Sequence, residues 1–265
     1  MHTLVCFHAH PDDEAIATGG LMARVADEGG RVVLVVATRG ERGEPQPGIL
    51  AEGEALWERR IPETFEAAAA LGVQRVEFLG YVDSGMMGEP TNDFPYSFWG
   101  ADVDHAAGRL AAILTEEGAD LLTIYDDNGG YGHPDHIQVH RVGLRAAEIA
   151  GTPRVFQSTM NRTRIQEAMA EHGDEAESQV GGEVEIPTTP EEFGKPEDDI
   201  THGIDVRMYL KAKRAALEAH ASQISGESFF LQLDDELFAL AFGTEWYIET
   251  GRPRPPGEAL RTDIW

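Results

Sequence analysis

The sequence predicts an α/β fold: a Rossmann-like, mainly parallel sheet with helices on both faces, plus a C-terminal helical or irregular extension. Three observations carry this expectation. Short apolar runs of strand length alternate with longer segments of helical spacing up to about Met160. Strand candidates such as Arg31 to Ala37 are rich in valine throughout, as strands buried on both faces of a parallel sheet are. Beyond Met160 the alternation stops.

The elements follow in order. Thr3 to Ala9 is a short apolar run, and Glu14 to Glu28 combines helix formers with apolar residues at Ile16, Leu21, Met22 and Val25. Arg31 to Ala37 reads as the second strand, and Glu52 to Leu71 as an alanine-rich helix closed by Gly72. Arg75 to Tyr81 reads as a strand, Val103 to Glu117 as a helix, Asp120 to Tyr125 as a strand, Asp135 to Ala150 as a helix and Arg154 to Ser158 as a fifth strand. Glu171 to Asp199, dense in Glu, Asp, Gly and Pro, reads as a long acidic loop. Val206 to His220 returns to helical spacing, and Phe229 to Ile248 is apolar enough to pack back onto the sheet. Residues 1–160 are therefore expected to form the catalytic region and 161–265 an extension packing on the same domain.

With 265 residues, 42% hydrophobic and 26% charged, the chain has ordinary globular composition and can bury a real core. Its 47 acidic against 21 basic residues give a formal charge of −26. Such a field repels phosphate backbones and anionic lipid, so neither nucleic acid nor a membrane is an expected partner. A homo-oligomer is compatible with the sequence. The single cysteine, Cys6, lies in an apolar run and cannot pair within the chain, which fits a reducing compartment. No basic segment and apolar stretch resembling a signal peptide precede Asp12, and no run approaches the ~20 apolar residues of a membrane helix. The expected location is the cytoplasm.

Ligands of such sheets bind at the carboxyl ends of the strands. The strand ending at Ala9 runs into His10-Pro11-Asp12-Asp13-Glu14, and the strand ending near Tyr125 leads through a Gly-rich loop to His133-Pro134-Asp135-His136. One His-Pro-Asp turn is ordinarily a capped helix start. Two of them after two strands, with extra carboxylates, favour a metal site. His10, Asp13 and His136 supply two nitrogens and one oxygen, the donor set of an open catalytic zinc site; the same set also suits ferrous iron. Asp12, between the first two ligands, is placed as general base toward an activated water. His133, as an imidazolium, and Tyr131 are candidates to stabilise an oxyanion. His140, four residues after His136, is a rival ligand.

These residues resemble the LmbE/PIG-L family of metal-dependent N-deacetylases through Ala9 to Glu14 and His133 to His136. The chain is also similar to the mycothiol branch of that family, which contains N-acetylglucosaminyl-inositol deacetylase and mycothiol S-conjugate amidase. That similarity lies in Tyr81-Val82-Asp83-Ser84-Gly85-Met86 and Ala219-His220-Ala221-Ser222-Gln223. The resemblance implies zinc on His10, Asp13 and His136, Asp12 as base, and Tyr131 and His133 at the oxyanion. It further implies that Arg60 and Asp83 hold substrate hydroxyls while Met86 lines the pocket. After Glu14 this chain has Ala15-Ile16-Ala17, where the branch usually carries serines or a serine-lysine pair.

The expected activity is hydrolysis of the amide of an N-acylated sugar-like or thiol-conjugate small molecule. Two alternatives are a non-catalytic metal-binding scaffold and a nicotinamide-dependent oxidoreductase. The second lacks its Gly-rich turn after the first strand, where carboxylates would repel a pyrophosphate.

Overall fold

Strand β1 (Thr3–His8) is buried at every position, as its unbroken apolar character predicts, and it forms the middle of the sheet. A computed structural model describes residues 1–180 and 193–265, the side chains of 172–180 excepted. After β1 come helices α1 (Asp13–Ala17) and α2 (Gly19–Asp27), then β2 (Arg31–Val36), α3 (Leu56–Ala70), β3 (Arg75–Phe78) and α4 (Val103–Glu117). Next follow β4 (Leu121–Tyr125), α5 (Pro134–Ala150), β5 (Arg154–Thr159) and α6 (Arg162–Val180). The remaining elements are β6 (His202–Asp205), α7 (Leu210–Ala219), α8 (Phe229–Gln232), α9 (Asp235–Phe242) and β7 (Thr244–Glu249).

The strands lie in the order β3-β2-β1-β4-β5-β7-β6. The first five are parallel, and β7 runs antiparallel to both β5 and β6. Alternate side chains feed two cores. Leu4, Cys6, Val32 and Leu34 pack with α2, α3 and α7 on one face, while Val5, Phe7, Val33 and Val35 pack with α4 and α5 on the other. The chain leaves β1 for β2 on one side and returns to β4 on the other, so the strand order switches between β1 and β4. That point is where open α/β sheets leave a crevice for ligand.

Three expectations differ from the structure. The helix expected over Glu14–Glu28 breaks at Thr18, whose φ of −138° leaves the helical region. The Thr18 hydroxyl meets His8 Nε2 at 2.8 Å. The restarted α2 is capped by Glu245, which accepts from the Gly20 and Leu21 amides at 2.8 and 2.9 Å. The segment expected to be a loop over 171–199 lies partly outside the described residues; of those described, 171–180 continue α6. Strand β6 was not expected at all, and Thr244–Glu249 forms a strand between it and β5 rather than a covering segment.

Buried His202 on β6 yields a testable consequence. Burial, aided by Arg154 and Arg261 and opposed by Glu249, pushes its pKa down to about 4. An unfolded histidine protonates near about 6.5, so the stability due to this neutral imidazole is complete above that pH and is lost as pH falls toward 4. Urea midpoints measured at pH values of about 7 and 5 should therefore differ less for His202→Gln than for the wild type.

Candidate active site

The first junction is built on a strained residue. Asp12, at the N-terminus of α1, has φ 95°, a region that costs a non-glycine residue about 1–3 kcal/mol and persists only where its surroundings impose it. Its amide donates to Glu14 Oε2 at 3.0 Å. Its carboxylate Oδ2 accepts from Arg60 Nη2 at 2.9 Å, and the same nitrogen donates to the Pro11 carbonyl. Burial pushes the Asp12 carboxyl up to about 6, with Arg60 pulling down and Asp13 pushing up. A carboxylate poised there suits proton transfer near neutral pH. On the far side of the turn, Asp13 Oδ2 accepts from the His10 amide at 2.8 Å.

At the second junction a carboxylate shapes the Gly-rich loop. Asp126 Oδ1 accepts from the Asn128 and Gly130 amides at 3.0 and 2.9 Å, and Oδ2 from the Thr159 hydroxyl at 2.6 Å. Gly129 has φ +63°, and a Cβ there would lie 2.5 Å from His136 Cβ, so only glycine lets the loop rest on that histidine. The Gly129 carbonyl accepts from His136 Nδ1 at 3.1 Å. His133 caps α5, its Nδ1 accepting from the Asp135 amide at 3.1 Å.

These two junctions bring the expected ligands together. Asp13 Oδ2 lies 3.4 Å from His10 Nδ1 and 3.4 Å from His136 Nε2. His136 Nε2 is buried with no hydrogen-bond partner, and with Nδ1 donating to Gly129 a neutral ring would turn its Nε2 lone pair toward Asp13. In that state the lone pair would repel the carboxylate oxygen, and a divalent cation would turn the pairing into attraction. Ligands about 2.0–2.1 Å from a tetrahedral zinc stand roughly 3.3 Å apart, and the two Asp13 contacts have that spacing. Against the pull of burial, Asp83, Asp13 and Asp135 raise the His10 pKa well above its ordinary value; the same field favours a cation on Nδ1. Burial opposes, and His136 and His10 enforce, a pKa for Asp13 well below the usual range.

Two histidine and carboxylate groups among the described residues have donor atoms all within 4.8 Å: His10, His133 and His136, and His10, Asp83 and Asp135. Neither includes Asp13, although its Oδ2 approaches two of the imidazoles more closely than that. The hydrogen bonds bear on which atoms of these residues are already engaged. His133 spends its Nδ1 lone pair on the cap, and His10 Nε2 lies 3.2 Å from Asp135 Oδ2 in a donor pairing. The ring nitrogens not engaged in these contacts, His10 Nδ1 and His136 Nε2, both face Asp13.

The other expected residues are placed as follows. Burial, then His10 and His136, push the His133 pKa down to about 3, which favours a neutral ring over the expected imidazolium; with Nδ1 taken by the α5 cap, such a ring carries its proton on Nε2. Tyr131 lies edge-on to His136 with ring centroids 5.0 Å apart, and burial raises its phenol. Asp83 Oδ1 is 3.6 Å from His10 Nε2; burial raises its pKa, but His10 and the amides of Gly85 and Arg42 hold it below the usual range. Met86 is 48% exposed, whereas Arg60 is 3% exposed and engaged with Asp12, Pro11 and Gly40. His140 is absent from the donor groups; its Nδ1 meets the Tyr125 carbonyl at 3.0 Å.

The family described as PIG-L, GlcNAc-PI de-N-acetylase, matches residues 5–147. The chain is 41% identical over 280 residues to a 1D-myo-inositol 2-acetamido-2-deoxy-alpha-D-glucopyranoside deacetylase of Acidothermus cellulolyticus, covering 100% of this chain and 94% of that protein. It is 42% identical over 288 residues to the protein of the same description from Thermobifida fusca, covering 99% and 98%. The chain belongs to the PIG-L family. It is an enzyme, a hydrolase acting on amide C–N bonds, and neither the scaffold nor the oxidoreductase alternative stands. Its fold is shared with the N,N'-diacetylchitobiose deacetylase from Pyrococcus horikoshii, at 21% identity and TM-score 0.57 over 94% of this chain and 83% of that one.

Several residues around the PIG-L site were not foreseen. His8 Nδ1 meets the Tyr125 hydroxyl at 2.9 Å, and the Tyr125 ring stacks on His136 with centroids 4.3 Å apart. The register Leu4↔Leu121 and Cys6↔Thr123, continued by two residues, sets His8 beside Tyr125, so the pairing was latent in strand alignment. Asp135 is fully buried, takes the Ser84 amide at 2.9 Å and the Ser84 hydroxyl, and orients His10. Glu14 and His220, both fully buried, meet at 2.5 Å. Only three-dimensional proximity joins residues separated by 206 positions.

Proposed function

We propose that this enzyme removes the acetyl group from an N-acetylglucosaminyl inositol, with a zinc ion held by His10, Asp13 and His136 and with Asp12 as general base. The observation that carries the metal assignment is the buried His136 Nε2, which makes no hydrogen bond and faces Asp13 Oδ2 at 3.4 Å. Ferrous iron fits the same donors. When bound, the ion supplies a Lewis acid that acidifies water and polarises the acetyl carbonyl.

Asp12, fixed by Arg60, accepts the proton of the attacking water and returns it to the leaving amine. The neutral His133 donates through Nε2–H to the oxygen on which negative charge develops, and the Tyr131 hydroxyl, protonated at any working pH, adds a second donor. Asp83 accepts from a sugar hydroxyl and Met86 lies against the sugar ring. Arg60 bears on the substrate through the carboxylate it holds. The products are acetate and a free amine. The substrate class is supported by the relatives' described activity together with their near-complete overlap with this chain.

A panel of N-acetylglucosamine, its inositol glycoside and a thiol-conjugate amide, scored by amine release, tests this reading. The inositol glycoside is expected to have the highest kcat/KM, by about tenfold or more, because remote binding energy is used in the transition state. Preference for the thiol-conjugate amide would replace the substrate assignment.

A further inference from the structure

The strained backbone at Asp12 is held by parts from three segments of the chain, and the proposed reaction gives Glu14, Glu63 and His220 no task. The Asp12 amide is bound by Glu14 Oε2 at 3.0 Å, and Glu14 Oε1 by His220 Nε2 at 2.5 Å. His220 is delivered by a turn in which the Gln223 and Ile224 amides donate to its carbonyl at 2.9 and 2.8 Å. Ser222 in that turn donates its amide and hydroxyl to Glu63 at 2.9 and 2.6 Å. Glu63 stands on α3 three residues after Arg60, on the same helix face. One face of α3 thus fixes the Asp12 side chain directly and its backbone through His220 and Glu14.

A buried ion pair adds little stability that apolar packing of the same volume would not. What it adds here is an acceptor aimed at one backbone N–H. We propose that His220 and Glu14 are positioning residues for Asp12: His220 orients Glu14, whose second oxygen holds the amide and so the left-handed backbone that aims the Asp12 carboxylate. This inference rests on the reading of Asp12 as general base. It gives the Ala219-His220-Ala221-Ser222-Gln223 element a task at the site.

The test compares wild type, His220→Ala, His220→Gln, Asp12→Ala and the His220→Ala/Asp12→Ala double variant. Metal content, kcat and KM are measured on whichever acetamido sugar the wild type hydrolyses. His220→Ala is expected to lower kcat by about 10- to 100-fold, the usual effect of losing an orienting partner, with KM and metal content little changed. His220→Gln, whose amide N–H replaces Nε2–H, should recover most of the loss. In the Asp12→Ala background the second substitution should cost nothing further, whereas a merely structural role would add its loss there. If His220→Ala does not fold, Glu14→Met with His220→Leu keeps the packing while removing the acceptor, and is expected to show the same fall in kcat.

Near-normal kcat in His220→Ala or in the apolar pair, or additive loss in the double variant, would overturn the positioning role. Failure of the underlying reading is distinguishable: Asp12→Ala would then itself keep near-normal turnover.

Discussion

Asp12→Asn is expected to fold, retain its metal and lose about 10²- to 10⁴-fold in kcat, the range typical of general acid–base catalysis. That loss corresponds to roughly 3–5 kcal/mol of transition-state stabilisation. Asparagine is chosen because its side-chain oxygen can still accept from Arg60, as Asp12 Oδ2 does at 2.9 Å. It also tolerates positive φ better than other residues, which matters at φ 95°. The substitution therefore removes the proton acceptor while leaving its supports. Steady-state kinetics beside metal analysis would show kcat falling alone. A loss confined to KM would place Asp12 in substrate binding instead.

His136→Ala is expected to weaken metal binding by more than about 100-fold, since even partners behind the ligands cost about 10- to 100-fold. Its Nδ1 is committed to Gly129 and its Nε2 aimed at Asp13, so no other imidazole can take the position without moving. His133 is the nearest rival within the donor group, but its Nδ1 caps α5. Asp135→Asn, by unsettling His10, is expected to cost about 10- to 100-fold. Competition against a chromophoric chelator measures both. Unchanged affinity in His136→Ala would move the ion to the carboxylates around His10 Nε2.

The parts of the fold legible in sequence are those specified by local pattern. Helix α4 has the bounds that spacing gave it, and β1 and β2 differ from expectation only at their last residue. The two His-Pro-Asp turns were legible because both follow apolar strands, and the sheet sets those strands side by side. What pattern could not reveal depends on distant partners. Helix α2 restarts where Glu245 caps it, β7 pairs antiparallel with β5, and His220 reaches Glu14 across the chain. The lowered pKa of His133 was also hidden, because it follows from burial beside two other imidazoles.

Metal restoration of chelator-stripped enzyme most directly tests the central claim that these donors hold the ion required for amide hydrolysis. Wild type and His136→Ala would be titrated with zinc while amine release from the N-acetylglucosaminyl inositol is followed. The account predicts that wild-type turnover rises from near zero to a plateau at about one equivalent, the stoichiometry of one three-ligand site, while His136→Ala stays inactive at the same zinc. Full turnover by the stripped wild type, or equal restoration of His136→Ala, would contradict it.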